Sequence, residues 1–326
     1  MTAFTAYDPA GVIEADGAFD GVPMDAYHGR PDLCAGPSIS SSGLRTISDP
    51  EKGPAHYWAS SPHNPNRVPE EDAQHFRIGR AAHTLILGEE GFREQYVIRP
   101  TKWDSWRTNA AKEWRDEHVE AGFTVLEPKD LELIKGMAGL QPWQRDMPDA
   151  GLMQSPLVAQ GLLQGHIEKS LIWKDAETGI WLRARPDCIS ESSPGLIVDL
   201  KTTKGRPSKA VWDHGYHMQG ALAAEAMEKV LGWAFTSFVL VFVDVAPPHP
   251  VRIFELDPYQ DGAGQMVDPI GIGREQNHRA LRKFSECLET GRWPAGPSDS
   301  IPLRMPPWYQ HVVIEGAKDD AVKVAS

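Results

Sequence analysis

Residues 185–203, RPDCISESSPGLIVDLKTT, constrain what this chain can fold into more than any other stretch. They supply a carboxylate at Asp187, a short polar linker at 190–195, and an apolar run that carries Asp199 and Lys201. Residues two apart on a strand share a face. Asp199 and Lys201 therefore point one way, while Val198 and Leu200 point into a core. The apolar flanks predict a mostly buried strand, where a charge needs a partner or a metal ion. If residues 190–195 turn, Asp187 reaches the same site from the preceding strand.

Two carboxylates and a lysine converging at a sheet edge suit metal-assisted phosphodiester hydrolysis. That reaction needs an activated water and compensation for charge in the transition state. Asp187 and Asp199 are the candidate ligands for one or two Mg²⁺ ions, which prefer oxygen donors, with Mn²⁺ as a substitute. The backbone carbonyl of Leu200 is a further candidate ligand, and Glu168 adds a third carboxylate. Lys201 is placed to orient the attacking water or to offset transition-state charge.

The surrounding pattern predicts a mixed α/β fold: a central sheet, made of an antiparallel meander plus further strands, flanked by helices. The meander runs through 167–173, 180–187 and 195–203. A helix over 216–232, strands over 235–248 and 251–256, and a helix over 264–288 follow. Alternation along 180–187 puts Arg183 and Arg185 on the face of Asp187, where they could engage a phosphate backbone. Lys204, Arg206 and Lys209 give the next connection a basic wall. Tyr216 and Gln219 lie three apart on one helix face, suited either to positioning a phosphate or DNA end or to bonding the sheet.

Upstream, residues 1–37 read as a loose lead-in, with short helices near 43–47 and 54–60. The expected organisation is an extension over 1–72 packed on a core over 73–315, then a frayed tail over 316–326. From Ala73, positions 76, 79, 82, 83, 86 and 87 recur on one helical face, and Gly88 is placed to stop the helix. His83 on that face is either a core histidine or a metal ligand. Residues 92–99 read as a strand and 155–166 as a helix. Between them Trp103, Trp106 and Trp114 interleave with Lys102, Arg107, Lys112 and Arg115. This is either a phosphate- and base-binding surface or an amphipathic helix with core tryptophans.

Composition narrows the function classes. The 33 basic and 45 acidic residues give a net charge of −12, so any nucleic-acid contact must be locally basic. Three scattered cysteines, Cys34, Cys188 and Cys287, exclude a disulfide scaffold and a four-cysteine metal site. No GxxxxGKS or GxGxxG motif occurs, and the serine runs have no base partner. The opening residues lack a leader pattern and no apolar run is long enough to span a bilayer. A cytoplasmic protein without membrane contact is expected.

Pro186-Asp187 followed by Asp199-Leu200-Lys201 resembles the core of the PD-(D/E)xK nuclease superfamily, with its restriction-endonuclease-like fold. The segments YHGRPDLCAGPSISSSGLRTI, HFRIGRAAHTLIL, GYHMQGALAAEAM and GRWPAG, in that order, are similar to the exonuclease VIII-like nucleases of phages and prophages. The resemblance covers roughly residues 24–310. It implies that His83, Asp187 and Asp199 bind metal and that Lys201 is the catalytic lysine. It aligns Glu168 with an acidic residue before the meander and Gln219 with the glutamine of a tyrosine–glutamine helix. It further implies a homo-oligomeric ring that degrades linear duplex DNA from the 5′ end without ATP. The 3′-ended strand left behind would pass to a single-strand annealing protein in recombination.

Overall fold

The computed structural model describes residues 4–68, 74–87 and 92–296. Gly88 and the tail over 316–326 lie outside them. The observed architecture is the expected α/β one, but its main strands form two five-stranded sheets, with two small two-stranded sheets beside them.

The first residues are more ordered than their composition suggests. Strands β1 (Thr5–Ala6) and β2 (Gly17–Asp20), helix α1 (Met24–Gly29) and strand β3 (Ser38–Ser40) precede helices α2 (Ser41–Ser48) and α3 (Gly53–Ser60). The lead-in expected over 1–37 is thus corrected. Ala18 is buried, and Ile13, Val22, Tyr27 and Leu33 build a small core with Ile172 and Trp181. Scattered apolar residues without periodicity gave no local signal for this.

Helix α4 (Gln74–Ile86) follows, then α5 (Phe92–Gln95), β4 (Tyr96–Ile98), α6 (Asn109–Glu120), β5 (Thr124–Leu126) and α7 (Pro128–Ala138). The strand expected over 92–99 keeps only its second half. The helix expected over 155–166 shrinks to α8 (Pro156–Ala159). Gly161, at φ +98°, leaves the helical region, a conformation glycine adopts at no steric cost.

The meander is the part that matters for the site, and it is bent. Its first arm divides into β6 (Gly165–Ile167) and β7 (Ser170–Lys174), its second into β8 (Trp181–Ala184) and β9 (Cys188–Ser190). β7 pairs β8 in the first sheet, ordered β1-β2-β7-β8-β3. β6 pairs β9 in the second, where β10 (Leu196–Thr203), β11 (Ser237–Asp244) and β12 (Val251–Glu255) complete the order β12-β11-β10-β9-β6. Glu168 has φ +53° at one corner, and Pro186, which lacks an N–H for the ladder, sits at the other. The two corners are tied by Glu168 N–H to Asp187 C=O at 3.1 Å. Residues 191–195 form the expected turn. Gly195, at φ +88°, passes so close to Ala234 O that a Cβ would lie 2.4 Å from it.

β10 is central in the second sheet, antiparallel to β9 and parallel to β11. Both faces are covered. Phe238, Leu240 and Phe242 alternate with Val239, Val241 and Val243 along β11, the first set in one core cluster and the second in another. α9 (Pro207–Asp213) and α10 (Tyr216–Ala226, running on as a π-helical turn, Met227–Leu231) connect β10 to β11, and α11 (Pro269–Thr290) follows the sheet. Alanine-rich α10 and α11 cover the first face, α4 and α7 the second. α10 is held close to α11: a Cβ added at Gly273 would sit 2.6 Å from His217 O and 2.9 Å from Ala221 Cβ. Gly273→Ala should therefore lower unfolding free energy by about 1–3 kcal/mol in urea titration, despite a helix-propensity gain of about 1 kcal/mol. Unchanged or higher stability would mean that the two helices are not in tight contact.

Candidate metal centre

At Val198 the β9 partner strand runs out, since β9 pairs β10 only at Ile197↔Ile189 and Val198↔Cys188. Leu200 therefore turns its backbone toward a vacated ladder position. Asp187 fills it: its Oδ2 accepts the Leu200 N–H at 2.6 Å. The Leu200 backbone also hydrogen-bonds the His83 ring. One residue thus positions two functional side chains, while its own side chain is fully buried.

His83 enters from α4, which packs Ala81 and Ala82, both fully buried, against this sheet face. His83 lies beside Asp187, a placement that allows it to serve as a metal ligand. Its Nδ1 is 3.6 Å from Asp187 Oδ2. Burial, assisted by the Lys201 charge, pushes its pKa down to about 4, so at neutral pH the ring is uncharged and able to coordinate. Glu168 arrives from the corner between β6 and β7. One ligand atom from each of His83, Glu168 and Asp187 lies within 4.8 Å of the other two.

Asp199, on the opposite face of β10, is completely buried. It is not part of that triad of ligand atoms. Its Oδ1 accepts from Gln219 Nε2 at 2.7 Å, and its Oδ2 is paired with the Lys201 ammonium. Burial and the neighbouring Asp187 raise its pKa to about 6, against the pull of Lys201 and His83. Burial likewise raises Asp187, opposed by Lys201, the Leu200 N–H and Arg185. Lys201 is raised: burial alone would lower it, but Asp199, Asp187 and Tyr216 outweigh that. Its Nζ lies 5.0 Å from the Tyr216 ring centroid.

A divalent cation fits this donor set. An imidazole and two carboxylates converge, and Glu168, Asp187 and Asp199 bring three carboxylates close together, with Lys201 beside Asp199 and Arg185 beside Glu168. The upward displacement of the Asp187 and Asp199 pKa values, caused first by burial, records the cost of that charge. A bound cation would reverse it.

The remaining expected site residues fall into two groups. Lys204, Arg206 and Lys209 are exposed on the turn from β10 into α9, with Lys209 paired to Asp213 at 3.1 Å. Tyr216 and Gln219 face the site from α10. Arg183 needs correcting as a phosphate contact: it is 3% exposed, donates to Tyr27 O, and its Cζ lies 5.2 Å from the Tyr27 ring. The strand breaks after Ala184, so alternation no longer carries Arg183 to the face of Asp187. Arg185 is also mostly covered, 8% exposed, 3.8 Å from Glu168. Residues 103–118 match neither expectation fully. Trp103, Trp106 and Trp114 are half-buried against one another, with Lys102 over Trp103, and Arg99 and Arg115 over Trp106. Sequence reasoning missed Arg45 of α2, whose Cζ lies 5.6 Å from the Tyr216 ring. No spacing rule links it to α10.

The Asp199 shift fixes a pH signature. Its folded pKa is raised from 3.8 to about 6, so its contribution is fully present at low pH and is lost as pH rises through about 6. Without divalent ions, wild-type protein should lose stability relative to Asp199→Asn across that window, by about 3 kcal/mol at most. Thermal unfolding of both proteins in EDTA from pH 4 to 8 checks this. His83 titrates in both and cancels. A difference that does not vary with pH would contradict the assignment.

No curated protein matches this chain. Among solved structures, it is similar to a candidate exonuclease from Eubacterium rectale, at 14% identity and TM-score 0.48. That match covers 82% of this chain and 90% of the other. It is more distantly similar to Scheffersomyces stipitis Rai1 in complex with (3′-NADP)⁺ and calcium ion, at 15% identity and TM-score 0.24, over 58% of this chain and 51% of that one. The family model described as a PDDEXK-like domain of unknown function (DUF3799) matches residues 40–300. A match over that span, most of the chain, places the protein in the PDDEXK-like DUF3799 family.

Proposed function

We propose that this protein is a Mg²⁺-dependent exonuclease acting on linear double-stranded DNA. The observation that carries the reading is the gathering of His83, Glu168 and Asp187 beside the Asp199–Lys201 pair. A metal ion bound there supplies Lewis-acid polarisation of the phosphate and a water of lowered pKa; Mn²⁺ has the same donor preferences. His83, Glu168 and Asp187 would hold it, with Asp199 adjacent.

The chain's own groups do the rest. Lys201 stays protonated at neutral pH because its pKa is raised. It therefore acts as a charged hydrogen-bond donor to a phosphate oxygen or to the attacking water, and not as a base. Gln219 holds Asp199 in place, and Tyr216 borders the lysine. Lys204, Arg206 and Lys209 contact the DNA backbone, supplying locally what the net charge of −12 lacks. Digestion runs 5′ to 3′ and leaves a 3′-ended strand for annealing by a partner protein. A homo-oligomeric ring enclosing the duplex, working in the cytoplasm, completes the reading. Among the described residues no helix is long and apolar enough to cross a membrane.

End-labelled linear duplex and covalently closed circular duplex, each with Mg²⁺ or EDTA, test the reading. The linear DNA should be consumed only with Mg²⁺, and the circle should persist. Metal-dependent loss of the circle at the same rate would indicate an endonuclease; no product from either would indicate a DNA-binding subunit on a nuclease fold. Lys201→Ala should retain duplex binding in EDTA and lose about 100- to 1,000-fold in cleavage rate. Wild-type rates in that variant would refute the role of Lys201.

A further inference from the structure

Arg185 sits one residue before the Pro-Asp corner, and its guanidinium points away from any open surface. Nε donates to Ser170 Oγ at 3.0 Å and lies 3.8 Å from Glu168 Oε2. Nη2 donates to Val22 O, and Nη1 approaches Met24 Sδ at 2.8 Å. The Tyr27 ring centroid is 4.6 Å from its Cζ. Each nitrogen of the fork has an acceptor within the protein, and three of the contacts come from residues 22–27.

Glu168 is the least comfortable member of the site. Its backbone is held at φ +53°, a region that a non-glycine residue occupies at a cost of about 1–3 kcal/mol and that the surrounding structure must enforce. The restraints on it include the hydrogen bond from its N–H to Asp187 O and the Arg185 charge at its carboxylate. Arg183, two residues earlier in β8, donates to Tyr27 O and so ties the same segment to this strand.

We infer that Arg185 is a positioning residue for the metal centre, and that the segment 22–27 is part of the active site through it. The chain of contacts runs from Val22, Met24 and Tyr27 to Arg185, and from Arg185 to Glu168. Arg185 orients the Glu168 carboxylate toward His83 and Asp187 and does not touch DNA. Residues that hold a ligating carboxylate characteristically set metal affinity without contacting the ion. This role rests on the metal-dependent reading above.

Calorimetric titration with Mn²⁺ tests it in the full-length chain, using wild type, Arg185→Gln, Glu168→Gln and the double variant. Duplex binding is measured separately by fluorescence anisotropy in EDTA. Arg185→Gln should weaken Mn²⁺ binding about 10- to 100-fold and leave duplex affinity in EDTA within about twofold of wild type. In the Glu168→Gln background the same substitution should produce little further loss, because the carboxylate it orients is gone. If Arg185→Gln does not fold, Arg185→Lys and Ser170→Ala enter the same cycle, with smaller losses expected. Unchanged or tighter Mn²⁺ binding, or reduced duplex binding in EDTA, would overturn the inference. So would an equal loss in both backgrounds, which marks a general structural effect. Absence of Mn²⁺ binding by wild type would instead sink the metal centre itself, and this role with it.

Discussion

The hydrogen bond from Leu200 N–H to Asp187 Oδ2, 2.6 Å long, is the contact on which the rest of the site depends. It exists because β9 stops pairing after Cys188↔Val198, so a central strand has a backbone donor without a strand partner. A buried N–H cannot stay unsatisfied cheaply, and an ionised carboxylate is the strongest acceptor available. That single bond joins the two halves of the signature, Pro186-Asp187 and Asp199-Leu200-Lys201. The Leu200 backbone then adds His83, which brings in α4.

Around this contact the fold concentrates negative charge in a dry place. Asp199 is wholly buried and Asp187 is 8% exposed. Burial raises Asp187 and Asp199 and depresses His83; the Lys201 charge opposes the first effect and adds to the second. Such opposing shifts within one small volume are characteristic of functional sites. The bend between the two sheets adds the third carboxylate, since Glu168 reaches His83 and Asp187 only because its strand turns a corner at positive φ.

Much of this was legible in the sequence, and what was not has physical causes. The strand carrying Asp199 and Lys201, the turn before it and the helix with His83 all follow from local periodicity, and each is where the pattern puts it. Alternation failed for Arg183 because a corner at Pro186 resets the face, and nothing in the residues 180–187 says that a strand changes sheets there. Strands β2 and β3 were illegible because their stability comes from pairing with β7 and β8, more than 130 residues away, and long-range pairing leaves no local mark. Arg45 was missed for the same reason. The basic–aromatic segment around Trp106 shows a further limit: composition left a binding surface and an amphipathic helix both open, and cations sit on the rings themselves.

The central claim is that His83, Glu168 and Asp187 meet at one divalent cation. A crystal structure of the protein soaked in Mn²⁺, with data collected for anomalous scattering, tests it most directly. A single strong anomalous peak bounded by the His83 ring and the carboxylates of Glu168 and Asp187 is the expected result. A structure with no peak there, or with Mn²⁺ bound elsewhere and the three side chains left uncoordinated, would contradict it.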